Sequence, residues 1–340
     1  MRKFLLSILI LILIIISVNH FKNISHEYSR SGVSMNTIIN ITINSDSRKP
    51  LDDAFILLES LDKYLSLYNP NSELNKINNN AGIKPVTTNK YVYEIINESK
   101  NIYNLTEGAF NPLIGPITKL WKINNNDKNY KIPSKLSLDI ALKLTDINNL
   151  NLIVNPDSIF LKTSGAMLDM GGIAKGYASL KIAELFNNNG VKSSIIDLGG
   201  NIYVTGEKFW RIGIRDPLNN SNPPAVIINA KNTSVITSGN YERFKIIDGV
   251  KYSHFFNPLD GMPVKNNLLS VTVITPDATK ADALATAFMI TGIEKAKKLL
   301  PEDFGVIFIY EAEDSKSPEI LTSNNLKNLI VKANYPINFF

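Results

Sequence analysis

Cysteine is absent from the 340-residue chain, and its absence excludes several kinds of site at once. The protein cannot form a disulfide, use a thiolate nucleophile, or hold a cysteine-ligated zinc ion or an iron–sulfur cluster. A lipoprotein anchor is also excluded, because it needs a cysteine just after the signal segment. Histidine is scarce: of three residues, only His254 lies beyond the N-terminal region, so a histidine zinc site is excluded by number.

The chain also has only a small excess of positive over negative charge. The formal net charge is +5, and the lysines are scattered rather than clustered, without the basic stripe that is typical of nucleic-acid binders. The chain is 44% hydrophobic and 20% charged, which is the composition of a folded protein with a sizeable core. We therefore expect a globular protein that does not bind nucleic acid.

One long hydrophobic run is present, at the N-terminus. Arg2 and Lys3 precede an apolar stretch, Phe4 to Val18, in the charge order of an export signal. Residues 1–24 are therefore either a signal peptide with a weak cleavage site or an uncleaved membrane anchor. The lack of a clear cleavage site favours the anchor. The positive end stays in the cytoplasm, so the remainder is expected at the periplasmic face of the inner membrane.

Helical and strand patterns are mixed along the chain without a regular βαβ order. Helical spacing of apolar residues predicts helices over the segments Leu51–Tyr68, Lys90–Leu105, Ile173–Asn187, Thr279–Thr291 and Ile293–Leu300. Short apolar runs predict strands over Thr37–Asn44, Ser194–Leu198, Trp210–Arg215, Ala225–Ala230, Ser270–Thr275 and Val306–Tyr310. This order indicates an α+β fold in which helices pack on a largely antiparallel sheet. We predict one domain over residues 33–335, after a polar spacer from His20 to Gly32.

A glycine pair opens the third of these helices, within the sequence Asp169-Met-Gly-Gly-Ile-Ala-Lys-Gly-Tyr177. Bare peptide N–H groups and the positive end of a helix suit a phosphate. Lys175 would add a cation, and Asp169 an acceptor for a hydroxyl or a ring N–H. Tight packing between a strand and a helix would also explain the glycines.

Two further segments carry side chains that are suited to chemistry. Asp282 and Thr286 lie four residues apart, on one face of a predicted helix, and their oxygens suit Mg²⁺. A helix N-terminal charge and a surface threonine would give the same pattern. His254 precedes a turn marked by Asn-Pro and Asp-Gly, where it could be a catalytic base or a structural hydrogen-bonding group.

In order and spacing, these three segments resemble the ApbE family of FAD:protein FMN transferases. The resemblance covers roughly residues 33–310. The matching segments are Leu67–Leu74, Gly108–Pro112 with Trp121, Asp169–Tyr177, Asp197–Asn201, Ser253–Gly261 and Ala281–Ala287.

The resemblance implies a role for each matching position. Contacts to FAD are implied for Met35, Tyr68, Ala109, Phe110, Asn111, Asp169, Lys175 and Phe256. Mg²⁺ ligands are implied at Asp282 and Thr286, with a contribution from the backbone carbonyl of Gly172. His254 falls on a histidine that assists catalysis.

The implied reaction is a Mg²⁺-dependent transfer of FMN from FAD to a threonine or serine hydroxyl of a partner protein, with release of AMP. The partners would be exported or membrane flavoproteins with a threonine-containing acceptor motif, such as subunits of the sodium-translocating NADH:quinone reductase or of Rnf-type complexes. Two alternatives are an FAD pyrophosphatase, which transfers to water, and a non-catalytic FAD-binding protein. A plain extracellular solute-binding protein would not need the metal helix.

Four positions depart from the usual family pattern. Asn36 stands where glycine is usual, Asn111 and Asn257 each replace an aspartate, and Ala285 occupies a position at which some members have an acid. These differences bear on metal affinity and turnover more than on flavin binding.

Overall fold

The computed structural model describes residues 25–123, 130–218, 221, 223–312 and 317–340. The predicted signal or anchor, residues 1–24, lies outside the described residues. Within the described ranges, no helix is both long enough and apolar enough to cross a membrane.

Eight α-helices occur in the described part of the chain. They are α1 (Lys49–Leu65), α2 (Glu73–Asn79), α3 (Lys90–Leu105), α4 (Gly115–Trp121), α5 (Lys135–Lys143), α6 (Ala174–Asn188), α7 (Ala278–Thr291) and α8 (Ile293–Leu299). Helix α3 shows how local sequence sets these bounds, because Oδ1 of Asn89 accepts hydrogen bonds from the N–H groups of Tyr91 and Val92 at its start. Its buried residues recur at helical spacing and face the core.

A nine-stranded sheet forms the centre of the fold, in the order β1-β2-β6-β7-β10-β13-β14-β15-β17. Its strands are β1 (His26–Ser34), β2 (Thr37–Ser45), β6 (Ser193–Leu198), β7 (Asn201–Gly206), β10 (Thr233–Gly239), β13 (Leu268–Thr275), β14 (Gly305–Glu311), β15 (Pro318–Thr322) and β17 (Ile337–Phe339). Seven of its pairings are antiparallel, and only β15 and β17 run parallel. The predicted α+β class is confirmed.

Three small sheets complete the described structure. One contains β3 (Val86–Thr87), β4 (Leu150–Ile153) and β5 (Ser158–Leu161). Another contains β8 (Trp210–Ile214), β9 (Val226–Ala230) and β16 (Ile330–Ala333), and the hairpin β11 (Phe244–Ile247) with β12 (Val250–Ser253) forms the third.

The middle of the central sheet, around β13 and β14, is buried on both faces. Along β14, Val306 and Phe308 point into the cluster shared with the helices, whereas Ile307 and Ile309 point into a second cluster with β8 and β9. This alternation is the two-residue period of a strand. The cover on the second face was not predicted, although a strand that is apolar throughout, such as β14, is typical of a sheet that is covered on both faces.

The expected polar spacer is wrong in part, because His26–Ser34 forms the edge strand β1 and pairs along its length with β2. Its residues are mostly exposed, so the strand carries little apolar signal. The two-residue turn that joins the strands consists of Met35 and Asn36, with φ of 51° and 59°. Asparagine tolerates this left-handed conformation better than most residues, which explains how Asn36 can replace the usual glycine.

Candidate functional site

One cavity of about 690 Å³ lies where the helices, the central sheet and the β11–β12 hairpin meet. Every site residue predicted from the sequence lines it: Met35, Tyr68, Ala109, Phe110, Asn111, Asp169, Gly172, Lys175, His254, Phe256, Asp282 and Thr286. The structure therefore brings together positions that are up to 251 residues apart in the chain, as the difference between 286 and 35 shows.

The close approach of α6 and α7 places Asp282 in the cavity wall. The N–H of Gly176, in the first turn of α6, donates a 2.8 Å hydrogen bond to Oδ2 of Asp282 on α7. A Cβ atom on residue 176 would lie 2.2 Å from the carbonyl oxygen of Ala278. Glycine is therefore required here for the two helices to meet at this distance.

The oxygens near Asp282 form a candidate metal centre. Oγ1 of Thr286 lies 3.5 Å from the carbonyl oxygen of Gly172. Asp282 itself is 3% exposed, and within the described ranges it forms no ion pair. A buried carboxylate without a counter-ion favours a cation beside it, and this set of hard oxygens fits Mg²⁺.

Only one carboxylate belongs to this set. No group of three or more histidine, cysteine or acidic side chains within metal-binding distance occurs in the described part of the chain. The position that some family members fill with an acid is Ala285, which is fully buried. Waters and ligand phosphates would therefore have to complete the coordination of Mg²⁺, as they commonly do.

Asp169 and Lys175 frame the start of α6, beside the metal centre. Oδ1 of Asp169 accepts a 2.8 Å hydrogen bond from the N–H of Gly171, and the N–H of Asp169 is bonded to the carbonyl of Pro112. These bonds fix the turn at the start of the helix. Within the first turn, the N–H of Ala174 is bonded to the carbonyl of Met170 and that of Gly176 to Asp282. Lys175 lines the same cavity, and its positive charge is suited to an anion there.

His254 is held in one tautomer. Its Nδ1 lies 2.9 Å from the carbonyl oxygen of Arg243, which can only accept, so Nδ1 carries the proton and Nε2 has the free lone pair. Burial, together with the smaller effects of the Arg243 and Lys175 charges, lowers the pKa of His254 to about 4, although its hydrogen bond to the Arg243 carbonyl acts in the opposite direction. The imidazole is therefore neutral at pH 7 and able to accept a proton at Nε2.

The aromatic wall behind His254 is set by a small apolar cluster. Phe256 stacks on Trp121 at a centroid distance of 6.0 Å, and Nε1 of Trp121 donates a 2.8 Å hydrogen bond to the carbonyl of Gly261. This packing fixes the turn that follows β12. Tyr68, which is 58% exposed, also lines the cavity. A planar ring system would find aromatic surface there.

The two asparagines that replace aspartates both use their amide donors. Nδ2 of Asn111 donates to the carbonyl of Thr145 at 2.9 Å, while its Oδ1 accepts from the N–H of Leu113. Nδ2 of Asn257 lies 3.3 Å from Oδ2 of Asp260. A carboxylate at either position would face another acceptor, so the local contacts of this chain explain both departures.

Sequence reasoning missed the cavity residues at the end of β10 and in the turn that follows it. Thr237, Ser238, Glu242 and Arg243 all line the wall next to His254. The available signal was the charged pair Glu242-Arg243 in a turn that directly follows a buried strand. Side chains of this kind at the end of a strand often belong to a site.

The cavity thus combines a phosphate-type anion site, hard oxygen ligands and a neutral base. The model of the ApbE family matches residues 35–308. The chain therefore belongs to the ApbE family, as the sequence motifs predicted.

Named relatives agree with this assignment. The FAD:protein FMN transferase of Treponema pallidum is 34% identical over 308 residues, with 84% of each chain covered. That of Klebsiella pneumoniae is 32% identical and covers 84% of this chain and 90% of its own length. The names of these relatives bear out the prediction of a transferase.

A solved structure also agrees with the fold described above. The structure of the flavin transferase ApbE from Vibrio cholerae has a TM-score of 0.80 and 26% identity, and it covers 90% of this chain and 99% of that one.

Proposed function

We propose that this chain transfers FMN from FAD to a threonine or serine hydroxyl of a flavoprotein, with Mg²⁺ required and AMP released. The observation that carries the proposal is the meeting of three groups in one cavity: the buried carboxylate of Asp282, the cationic start of α6 at Lys175, and the free Nε2 of His254. Transfer of a phosphoryl group from a pyrophosphate to a hydroxyl is assisted by a metal, a cation and a base, and these three groups would supply that set.

His254 is the proposed general base. Its neutral form is the required one at pH 7, and the hydrogen bond to the Arg243 carbonyl directs Nε2 away from the hairpin backbone. A neutral imidazole can accept the proton of an incoming hydroxyl directly, whereas an imidazolium would first have to release a proton.

The proposed transfer forms one P–O bond and breaks another. The acceptor oxygen bonds to the FMN-side phosphorus, and its proton passes to Nε2 of His254. The bridging P–O bond of FAD breaks, and AMP leaves with the electron pair on its phosphate oxygen. Since the bond broken is already a high-energy phosphoanhydride, positioning and charge neutralisation supply most of the catalysis.

Asp282, Thr286 and the carbonyl of Gly172 are the proposed Mg²⁺ ligands. When bound there, the metal would neutralise charge on the pyrophosphate. Lys175 would hold phosphate oxygens, and the ring systems of FAD would lie against Phe256, Phe110 and Tyr68. The remaining contacts to FAD are proposed for Met35, Ala109, Asn111 and Asp169.

We further propose that the catalytic domain acts at the periplasmic face of the inner membrane, with residues 1–24 as its signal or anchor. The N-terminal charge order supports export. The proposed acceptors are flavoprotein subunits of membrane redox pumps of the sodium-translocating NADH:quinone reductase or Rnf type, which carry a threonine-containing motif.

The test is incubation of the full-length protein in detergent with FAD, Mg²⁺ and an exported flavoprotein fragment, followed by intact mass and in-gel flavin fluorescence. A mass gain of one FMN less one water, lost with EDTA, is the expected result. The matched control is Asp282→Asn. AMP release without labelling of any acceptor would favour a pyrophosphatase, and bound FAD without AMP would leave only a binding protein.

A further inference from the structure

Arg243 occupies the turn between β10 and β11, and its backbone holds the proposed base. Its carbonyl oxygen accepts hydrogen bonds from Nδ1 of His254 at 2.9 Å and from the backbone N–H of the same residue at 3.2 Å. The two residues therefore form the open end of the β11–β12 hairpin, as a rigid pair. This contact is made by the backbone, so changing the side chain of Arg243 leaves it in place.

The side chain of Arg243 has no carboxylate partner in the described part of the chain. Twelve ion pairs occur there, and neither Arg243 nor Lys175 belongs to one, although both residues line the cavity. A cation without a carboxylate partner in a concave site is available to bind an anionic ligand. A guanidinium has the further advantage of a planar fork that matches two phosphate oxygens.

Several charged groups face this region from different elements. Lys175 comes from α6, Asp282 from α7, Glu242 from the turn before β11, and Asp169 from the loop before α6. Desolvation raises the pKa of Glu242, with Lys175 and Arg243 acting in the opposite direction. Both cations also lower the pKa of His254, so their charges reach the imidazole.

The geometry of displacement at phosphorus decides which part of the ligand Arg243 would contact. The attacking and leaving oxygens lie on opposite sides of the reacting phosphorus. His254 must stand on the attacking side, since it takes the proton of the incoming hydroxyl. Arg243 lines the same cavity and its backbone is bonded to His254, so it belongs to that side, whereas Asp282 and Thr286 come from a different element, α7.

We propose that Arg243 is a further catalytic residue, whose guanidinium binds the oxygens of the transferred phosphoryl group and stabilises the charge that develops there. The proposal rests on the proposed function for its chemistry. The guanidinium of Arg243 would be a further cationic group in contact with the pyrophosphate, in addition to Lys175 and the metal. It would lie on the side from which the acceptor hydroxyl attacks.

The experiment compares full-length wild type in detergent with Arg243→Gln, Arg243→Lys and the control Arg211→Gln, which removes an exposed arginine of β8. Two readouts do not need turnover. The affinity for inorganic pyrophosphate in the presence of Mg²⁺ is measured by calorimetry, and the titration of His254 by NMR of labelled histidine, with His254→Gln to assign the signal. The rate of FMN transfer is the third readout.

Arg243→Gln is expected to weaken pyrophosphate binding about tenfold and to slow transfer roughly a hundredfold. It should also move the titration of His254 to higher pH, because one of the cations that oppose protonation is lost. Arg243→Lys should preserve the titration but recover the rate only in part, since a lysine lacks the fork. Arg211→Gln should match the wild type in all three.

An unchanged pyrophosphate affinity in Arg243→Gln, with the fold intact by circular dichroism, overturns the proposal. A wild type that binds pyrophosphate through Arg243 but neither labels an acceptor nor releases AMP would contradict the proposed function instead. The two failures are therefore distinguishable.

Discussion

The N–H of Gly176 and the carboxylate of Asp282 are joined by a 2.8 Å hydrogen bond across the crossing of α6 and α7. This bond ties the first turn of one helix to the proposed metal ligand on the other. A side chain at position 176 would meet the Ala278 carbonyl at 2.2 Å and Cβ of Asp282 at 2.6 Å. The first neighbour is a backbone atom of α7 and the second is the Cβ atom of Asp282, so neither can shift unless the helix itself moves.

Gly176→Ala is therefore expected to destabilise the protein by about 1–3 kcal/mol, despite the better helix propensity of alanine. It should also weaken Mg²⁺ binding, because the helices separate where Asp282 is held. Urea unfolding and a Mg²⁺ titration measure the two effects. Gly190→Ala serves as the control. A Cβ atom at position 190 would meet no atom within 4 Å, so only the φ of 68° opposes the change. Equal losses in the two variants would contradict the packing argument.

Asp282→Asn distinguishes the contribution of Asp282 to Mg²⁺ binding from its contribution to the stability of the fold. The asparagine oxygen can still accept from Gly176, and the variant removes a buried charge without a counter-ion, so the metal-free protein should be at least as stable as wild type. Mg²⁺ should raise the Tm of wild type by mass action and leave that of the variant unchanged. FMN transfer should be lost while most FAD binding is retained. Equal loss of transfer and of FAD binding would contradict the assignment of Asp282 to the metal.

The sequence was sufficient to predict the fold class and twelve of the residues that line the cavity. Helix α3 was predicted with its observed bounds, because Asn89 caps it and its apolar residues recur at helical spacing. The resemblance to the ApbE family gave twelve positions that all line the cavity, but it did not give other lining residues such as Glu242 and Arg243.

What the sequence could not predict depends on distant contacts. Strand β1 is exposed and polar, so it is defined by its pairing with β2 rather than by its own pattern. The role of Arg243 was equally hidden, because its carbonyl meets His254 only when the β11–β12 hairpin closes. The state of His254 also required the structure, since burial cannot be read from a single histidine in a sequence.

The pH dependence of transfer tests the neutral state of His254. Since its pKa is lowered to about 4, the rate should remain on its plateau well below pH 6.5 and fall only as the imidazole gains a proton. His254→Gln should slow transfer and remove this acidic limb while FAD stays bound. A limb centred near pH 6.5 in wild type would contradict the desolvated state.

The same histidine should affect stability with a definite sign. Its pKa is lower in the folded protein than in the unfolded chain, so the unfolded state binds more protons between pH 6.5 and about 4. Its contribution to the free energy of unfolding is therefore present above pH 6.5 and lost as the pH falls through this window. His254→Gln should show a shallower decline over that range in urea unfolding. Parallel curves for the two proteins would contradict the prediction.

Asn111 and Asn257 together test why asparagine replaces the usual aspartate at these two positions. Asn111 is 9% exposed and donates to the Thr145 carbonyl, so Asn111→Asp places a carboxylate against an acceptor in a buried site. It should cost about 1–3 kcal/mol at pH 7 and less at acidic pH, where the carboxyl can donate. Asn257 faces Asp260 near solvent, and Asn257→Asp should cost less than about 1 kcal/mol, with a smaller effect at high salt. The free energy of unfolding, measured in urea at both pH values, decides between a structural requirement for the amide and a purely functional one: a stable Asn111→Asp protein at pH 7 would exclude the structural requirement.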